Sequence, residues 1–237
     1  MKNNLFSHKL MEDNISTKHL SAITKFIKKK PILTNNVKVK EFEKKWSSWL
    51  GVKYSVFVNS GSSANLLSIA YLKSKYQKGE IIVPTLTWSS DIASIFHNNF
   101  KPVFVDINLN NLAISLENLK RKINKNTVAI FLTHILGLNG LTSEIIKLVK
   151  NKKIILLEDC CESHGAKFNS KKIGTYGLIS NFSFYYAHHM TTIEGGMICT
   201  NSKEVYETCR MLRSHGMVRE TTSPKIKKYY VKKYPDL

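Results

Sequence analysis

Short apolar runs alternate along this chain with stretches whose apolar residues recur at helical spacing. Residues 56–58, 81–84, 102–106, 128–133 and 153–158 read as strands, because each is a brief β-prone run bounded by turn residues. Between them, 64–76, 89–97, 116–123 and 142–150 carry the spacing of helices that bury one face. Two more strands are expected near 182–185 and 196–200, followed by a helix over 203–213. Such alternation builds parallel strands joined by crossover helices, so the fold class is α/β, a three-layer, mostly parallel sheet. No internal repeat is visible. From Thr221 onward the segment TTSPKIKKYYVKKYPDL shows neither periodicity nor a capping residue. The expectation is therefore an incomplete large domain over 1–220, with 221–237 the start of a truncated remainder.

Composition narrows the classes. A chain of 237 residues can bury a substantial single core. No apolar run approaches the ~20 residues that a membrane-spanning helix needs. The opening MKNNLFSHKLMEDNIS lacks the apolar stretch of a secretory signal, and a cytoplasmic location is expected. Of the four cysteines, Cys160 and Cys161 are adjacent and Cys199 and Cys209 stand alone, a poor pattern for disulfides or zinc. The net charge of +19 raises nucleic-acid binding. The lysines, however, are dispersed and interleave with no recognition helix, so the charge is read as a basic surface that steers anions. A diphosphate-bearing small substrate would be drawn by the same field.

Three stretches carry candidate chemistry. NSGSSAN (59–65) joins a strand to a helix; its glycine and serines either cap that helix or hold a phosphate on its first amides. LLEDCCESHGAKF (156–168) ends a strand in Glu158-Asp159, which puts a carboxylate at the sheet edge where α/β ligands sit, or merely caps a turn. NFSFYYAHHMTTIEGGMICTN (181–201) has paired histidines, but adjacent side chains diverge and no third ligand lies at zinc-site spacing. No metal is expected.

Taken in order, SGSSAN, VPTLTWSSDIAS, VFVDI, EDCCESHGA and FSF…EGG resemble the DegT/DnrJ/EryC/StrS sugar aminotransferase family, over roughly residues 33–219. The resemblance implies the large domain of a fold-type-I pyridoxal-phosphate enzyme, a homodimer, and a C-terminal domain missing from this chain. It also implies a lysine after FSF that bonds covalently to the cofactor; here that position is His188. Imidazole cannot form such a bond but can act as a base, its unperturbed pKa of ~6.5 lying near operating pH. This substitution resembles the deoxysugar 3-dehydratase branch, which uses pyridoxamine phosphate to remove the C3 hydroxyl of a nucleotide-linked 4-keto-6-deoxy sugar. An ordinary sugar aminotransferase and an inactive truncated homologue are the alternatives. An iron–sulfur sub-branch needs clustered cysteines. Residues 212–224 contain none, and Cys199 and Cys209 read as core residues, which favours the cluster-free sub-branch recharged by glutamate.

Carried over position by position, the resemblance gives Gly61 and Ser62 to the cofactor phosphate, with Ser183 reaching it from the other side. Trp88 is expected over the pyridine ring, or else in the core. Asp159 pairs with the pyridinium nitrogen, which keeps the ring an electron sink. Glu162 stands where the family usually has glutamine and is expected to raise the pKa of His188. His215 and Arg219 either hold the amino donor's carboxylate, for which a guanidinium is suited, or are surface residues.

Overall fold

In the computed structural model, which describes residues 15–235, the chain opens with two helices, α1 (Thr17–Ile27) and α2 (Val37–Leu50). Strands and helices then alternate: β1 (Tyr54–Val58), α3 (Gly61–Lys73), β2 (Glu80–Pro84), α4 (Ser89–His97), β3 (Lys101–Val105), α5 (Leu116–Lys122), β4 (Thr127–Thr133), α6 (Ser143–Lys152) and β5 (Ile155–Asp159). A small hairpin, β6 (Lys167–Phe168) and β7 (Lys171–Lys172), precedes β8 (Ile179–Ser183), β9 (Gly196–Thr200), α7 (Lys203–Arg213) and α8 (Pro224–Lys233). The expected signal-free N-terminus, residues 1–14, lies outside the described residues.

One seven-stranded sheet has the order β1-β9-β8-β5-β4-β2-β3. Only β9 runs against its neighbours, β1 and β8; the other pairings are parallel. Strand residues alternate between two buried cores, as pleating requires. Ile82, Ile130, Leu132, Leu156 and Met197 face one core, with Trp46 of α2, Leu119 of α5 and Ile145 of α6. Ile81, Val83, Phe131, Leu157 and Ile198 face the other, with Ile69 of α3, Ile95 of α4 and Val205 of α7. Helices on both faces of a mostly parallel sheet make the three-layer α/β arrangement expected from the pattern.

The crossover helices start where hydroxyls allow. Ser60, Ser115, Thr142 and Ser202 each accept a first-turn amide at the head of α3, α5, α6 and α7. Arg213 ends α7 by donating to the Glu43 carboxylate of α2 (2.8 Å) and the Phe57 carbonyl of β1 (2.9 Å), which locks three elements together.

Two expectations need correcting. The segment after Thr221 does have a cap: the Ser223 side chain accepts the Ile226 amide and Pro224 takes the first helical position of α8. Its lysines and tyrosines hid that start because none of its residues is buried, so no apolar stripe forms. The segment is also tied back to α7, since the Thr221 and Thr222 hydroxyls both donate to Glu207. Further upstream, β8 begins and ends two to three residues earlier than expected, at Ile179–Ser183, leaving Tyr185 in the following turn.

Candidate cofactor and substrate site

Because β1, β2, β4, β5 and β8 point the same way, their carboxyl ends lie along one edge of the sheet. That edge is where open α/β sheets bind ligands. It gathers the start of α3 after β1, Thr87 and Trp88 after β2, Thr133 at the end of β4, Asp159 at the end of β5, and Ser183 and His188 at and after β8.

The turn from β1 into α3 comes unusually close to β8. A Cβ placed on Gly61 would stand 2.7 Å from the Ser183 Cβ and 2.9 Å from the Cys161 Sγ, so only glycine fits. Gly196 of β9 is equally constrained, since a Cβ there would strike the Ser60 carbonyl. Ser60 caps the Ser63 amide at 3.1 Å. The amides of Gly61 and Ser62, one residue buried and the next exposed, head the helix without intrahelical acceptors. Gly61 thus lies against Ser183, with Ser62 next in the same first turn, and the first-turn amides make this end of α3 suited to an anion.

Asp159 is buried. It accepts the Cys161 amide at 2.8 Å and the Asn65 side-chain amide at 3.2 Å, and forms no ion pair among the described residues. A buried carboxylate without a cation beside it suits a cationic ligand atom. Trp88 is 61% exposed at the head of α4, which removes its reading as a core aromatic.

His188 follows β8 in a short turn, its amide donating to the Tyr185 carbonyl at 3.0 Å. Its imidazole is half-buried and lies in the field of both Glu162 and Asp159, so the structure brings these three side chains to one place. Glu162 acts on His188 as expected, drawing its pKa upward, while burial sets the net direction. Burial pushes the His188 pKa down, and although Glu162 and then Asp159 pull it upward, the net shift is below the ordinary histidine value. His188 is therefore neutral at neutral pH and can accept a proton. Glu162 also has a structural tie, accepting the Leu136 amide at 2.8 Å in the turn after β4.

His215 and Arg219 are exposed on the loop after α7. His215 adopts a left-handed backbone (φ 60°), and Arg219 faces Glu220 at 3.8 Å.

The sequence reading missed a buried polar group behind Asp159. Asn65 of α3, Thr87, Asp91 of α4 and Thr133 of β4 interlock there, with Asn65 donating to Asp91 at 2.6 Å as well as to Asp159. The polar letters inside TWSSDIAS, at a helix start where apolar residues would otherwise pack, were the available signal. A second buried cluster, His134, Glu158 and Cys160, has metal-like composition. It is instead an anchor: the Gly140 amide donates to His134 Nδ1, so Nε2 carries the proton toward Glu158 at 3.2 Å. Glu158 also accepts the amides of Gly174, Tyr176 and Gly177, which fixes the loop before β8.

The sequence profile of the DegT/DnrJ/EryC1/StrS aminotransferase family matches residues 13–233. GDP-4-keto-6-deoxy-D-mannose 3-dehydratase of Escherichia coli O55:H7 is 44% identical over 186 residues, covering 76% of this chain and 48% of that protein. The chain thus spans about half the length of this curated relative. A solved GDP-4-keto-6-deoxymannose-3-dehydratase (ColD), a histidine-to-asparagine mutant with bound GDP-perosamine, superposes with a TM-score of 0.86 at 37% identity, over 92% of this chain and 60% of that one. Another structure of a GDP-4-keto-6-deoxymannose-3-dehydratase, with a trapped PLP-glutamate geminal diamine, gives 0.85 at 39% identity, over 90% and 56%.

Proposed function

Because the chain belongs to the DegT/DnrJ/EryC1/StrS aminotransferase family, we propose that it binds pyridoxal or pyridoxamine 5'-phosphate and serves in 3-dehydration of a nucleotide-linked 4-keto-6-deoxy sugar. Glutamate supplies the amine. The observation that carries this reading is His188: a neutral, half-buried base beside Asp159 and Glu162, in a stretch with no lysine between Lys172 and Lys203. The relatives with the same printed activity, and the solved neighbours holding PLP with glutamate or a GDP-sugar, support it.

The cradle at Gly61 and the unpaired carboxylate of Asp159 fit the cofactor's phosphate and ring nitrogen. When bound there, the cofactor supplies the amine and the electron sink that lets a C3 hydroxyl leave. Gly61 and Ser62 hold the phosphate through amides and a hydroxyl, and the Ser183 hydroxyl meets it from β8. Trp88 covers one face of the ring and excludes water from it. Asp159 keeps the ring nitrogen protonated. His188, having no way to tie the cofactor covalently, removes the proton from the cofactor's methylene carbon. Glu162 stabilises the imidazolium so formed. Arg219 and His215 receive the glutamate carboxylate. At the finer level, the protein works as a cytoplasmic homodimer in deoxysugar supply for surface polysaccharide. Among the described residues, no helix is long and apolar enough to cross a membrane.

Borohydride treatment of the chain with pyridoxal phosphate tests the central point. By peptide mass mapping, the wild-type chain is expected to yield no covalent adduct between residues 173 and 202, whereas His188→Lys yields one at residue 188 with a red-shifted absorbance. With glutamate and a 4-keto-6-deoxy sugar nucleotide, the products expected are 2-oxoglutarate, ammonia and a 3-deoxy keto sugar. A wild-type chain with the same red-shifted absorbance, or a stable amino sugar as product, would overturn the reading.

A further inference from the structure

Behind Asp159 the structure places a second carboxyl with no cation to balance it. Asp91, in the first turn of α4, is completely buried. Its Oδ1 accepts Asn65 Nδ2 at 2.6 Å, and its Oδ2 accepts the Thr87 hydroxyl at 2.5 Å and the Thr133 hydroxyl at 3.1 Å. The same Asn65 amide reaches Asp159 Oδ2 at 3.2 Å, and the two carboxyls are within hydrogen-bond reach of each other. Four elements (α3, α4, β4 and β5) hold the pair. The titratable groups facing it are Cys161, whose thiol burial pushes up, and His188 across the site from Asp159. No lysine or arginine pairs with either carboxyl among the described residues. Two buried carboxylates in contact cannot both ionise cheaply, so one proton must stay between them.

We propose that Asp91 is a positioning residue of the cofactor site: it keeps that proton and donates it as a hydrogen bond to Asp159, so that the pair presents a single, fixed negative charge to the ring nitrogen. This rests on the pyridoxal-phosphate reading above. Which carboxyl keeps the proton follows from surroundings. Asp91 is walled in by Thr87, Thr133 and Asn65, whereas Asp159 lies at the strand end, takes the Cys161 amide at 2.8 Å and faces the site. Burial, then the charge of Asp159, pushes the Asp91 pKa well up, in the same direction. The arrangement serves catalysis indirectly. A doubly charged pair would hold the ring nitrogen's proton too tightly and repel a bound phosphate. A wholly protonated pair would give that nitrogen nothing to pair with.

Infrared spectroscopy on the cofactor-free chain tests the proton. At neutral pH, the wild type is expected to show the carbonyl stretch of a buried carboxylic acid, shifting in heavy water and missing from Asp91→Asn. Cofactor affinity tests the positioning. Asparagine replaces the acid with another neutral donor, so Asp91→Asn should keep both the dissociation constant of pyridoxal phosphate and its pH profile. Asp91→Ala, which leaves Asp159 short of a donor, should weaken binding roughly tenfold. The proposal is overturned if the band is absent from the wild type, if it persists in Asp91→Asn, or if asparagine shifts the pH profile as alanine does. Should Asp91→Asn fail to fold, the wild-type band and the alanine affinity still decide the matter. A wild-type chain that binds no pyridoxal phosphate sinks the cofactor reading and the positioning role with it, while the band separately reports where the proton sits.

Discussion

At the scale of single residues, burial outweighs sequence neighbours in setting the chemistry. His164 shows it most plainly. It lies among Trp46, Phe182 and Phe184, with its Nε2 buried and unpartnered, and burial pushes its pKa down to about 3, with smaller contributions from His189 and His188. In the unfolded chain the same group titrates near ~6.5. As pH falls below that value, the unfolded chain takes up a proton that the folded one refuses until about pH 3, so this site loses stability throughout that window. His164→Phe should therefore flatten the acid limb of stability. Between pH 7 and 5, urea unfolding should show the wild type losing about 2 kcal/mol more than the variant. Equal losses would mean that His164 can be protonated in place. The residue-level legibility of the sequence follows the same line. Gly61, Asp159, Ser183 and His188 were readable because they stand at strand ends, where sequence order alone puts them on one edge. The direction of the His188 shift was not, since it depends on how deeply the turn after β8 is covered. Asp91 was missed because a polar letter at a helix start reads first as a cap.

At the scale of elements, strands were legible because each crossing of the core needs a short apolar run, and helices because their caps and stripes coincide. Ser89–His97, Gly196–Thr200 and Lys203–Arg213 fall where the pattern places them. The ends that moved are those decided by tertiary contact. Helix α3 starts at Gly61 rather than at Ala64, because the glycine and serines that read as a turn form its first, capped turn against β8. That contact is testable. Gly61→Ala would push α3 from Ser183 and Cys161, at a cost of roughly 1–3 kcal/mol for overpacking. Calorimetry should register a lower Tm, and pyridoxal phosphate should bind more weakly because the amides of Gly61 and Ser62 are displaced. A variant with unaltered Tm and affinity would mean that the turn is looser than its geometry.

At the scale of the whole molecule, the +19 charge belongs to no single site. Its visible pairings are mostly exposed, such as Lys38 with Glu41 and Lys101 with Glu80, and contribute little to stability. What remains is a long-range positive field. Association of a nucleotide-diphosphate sugar should slow several-fold as ionic strength rises from low to physiological, with dissociation nearly constant. Stopped-flow fluorescence would show this, and a salt-independent on-rate would contradict it.

The reversed strand β9 has a consequence for how the protein comes into being. It is threaded between β1 and β8, so the strand that leads into Gly61 and the strand that ends at Ser183 have no direct pairing and are joined within the sheet through residues 196–200. A ribosome-bound chain that has emerged only as far as Ser183 already possesses most of the candidate groups, yet β1 still has no strand partner in the sheet. The edge of the sheet is completed by a strand that carries none of the candidate site residues.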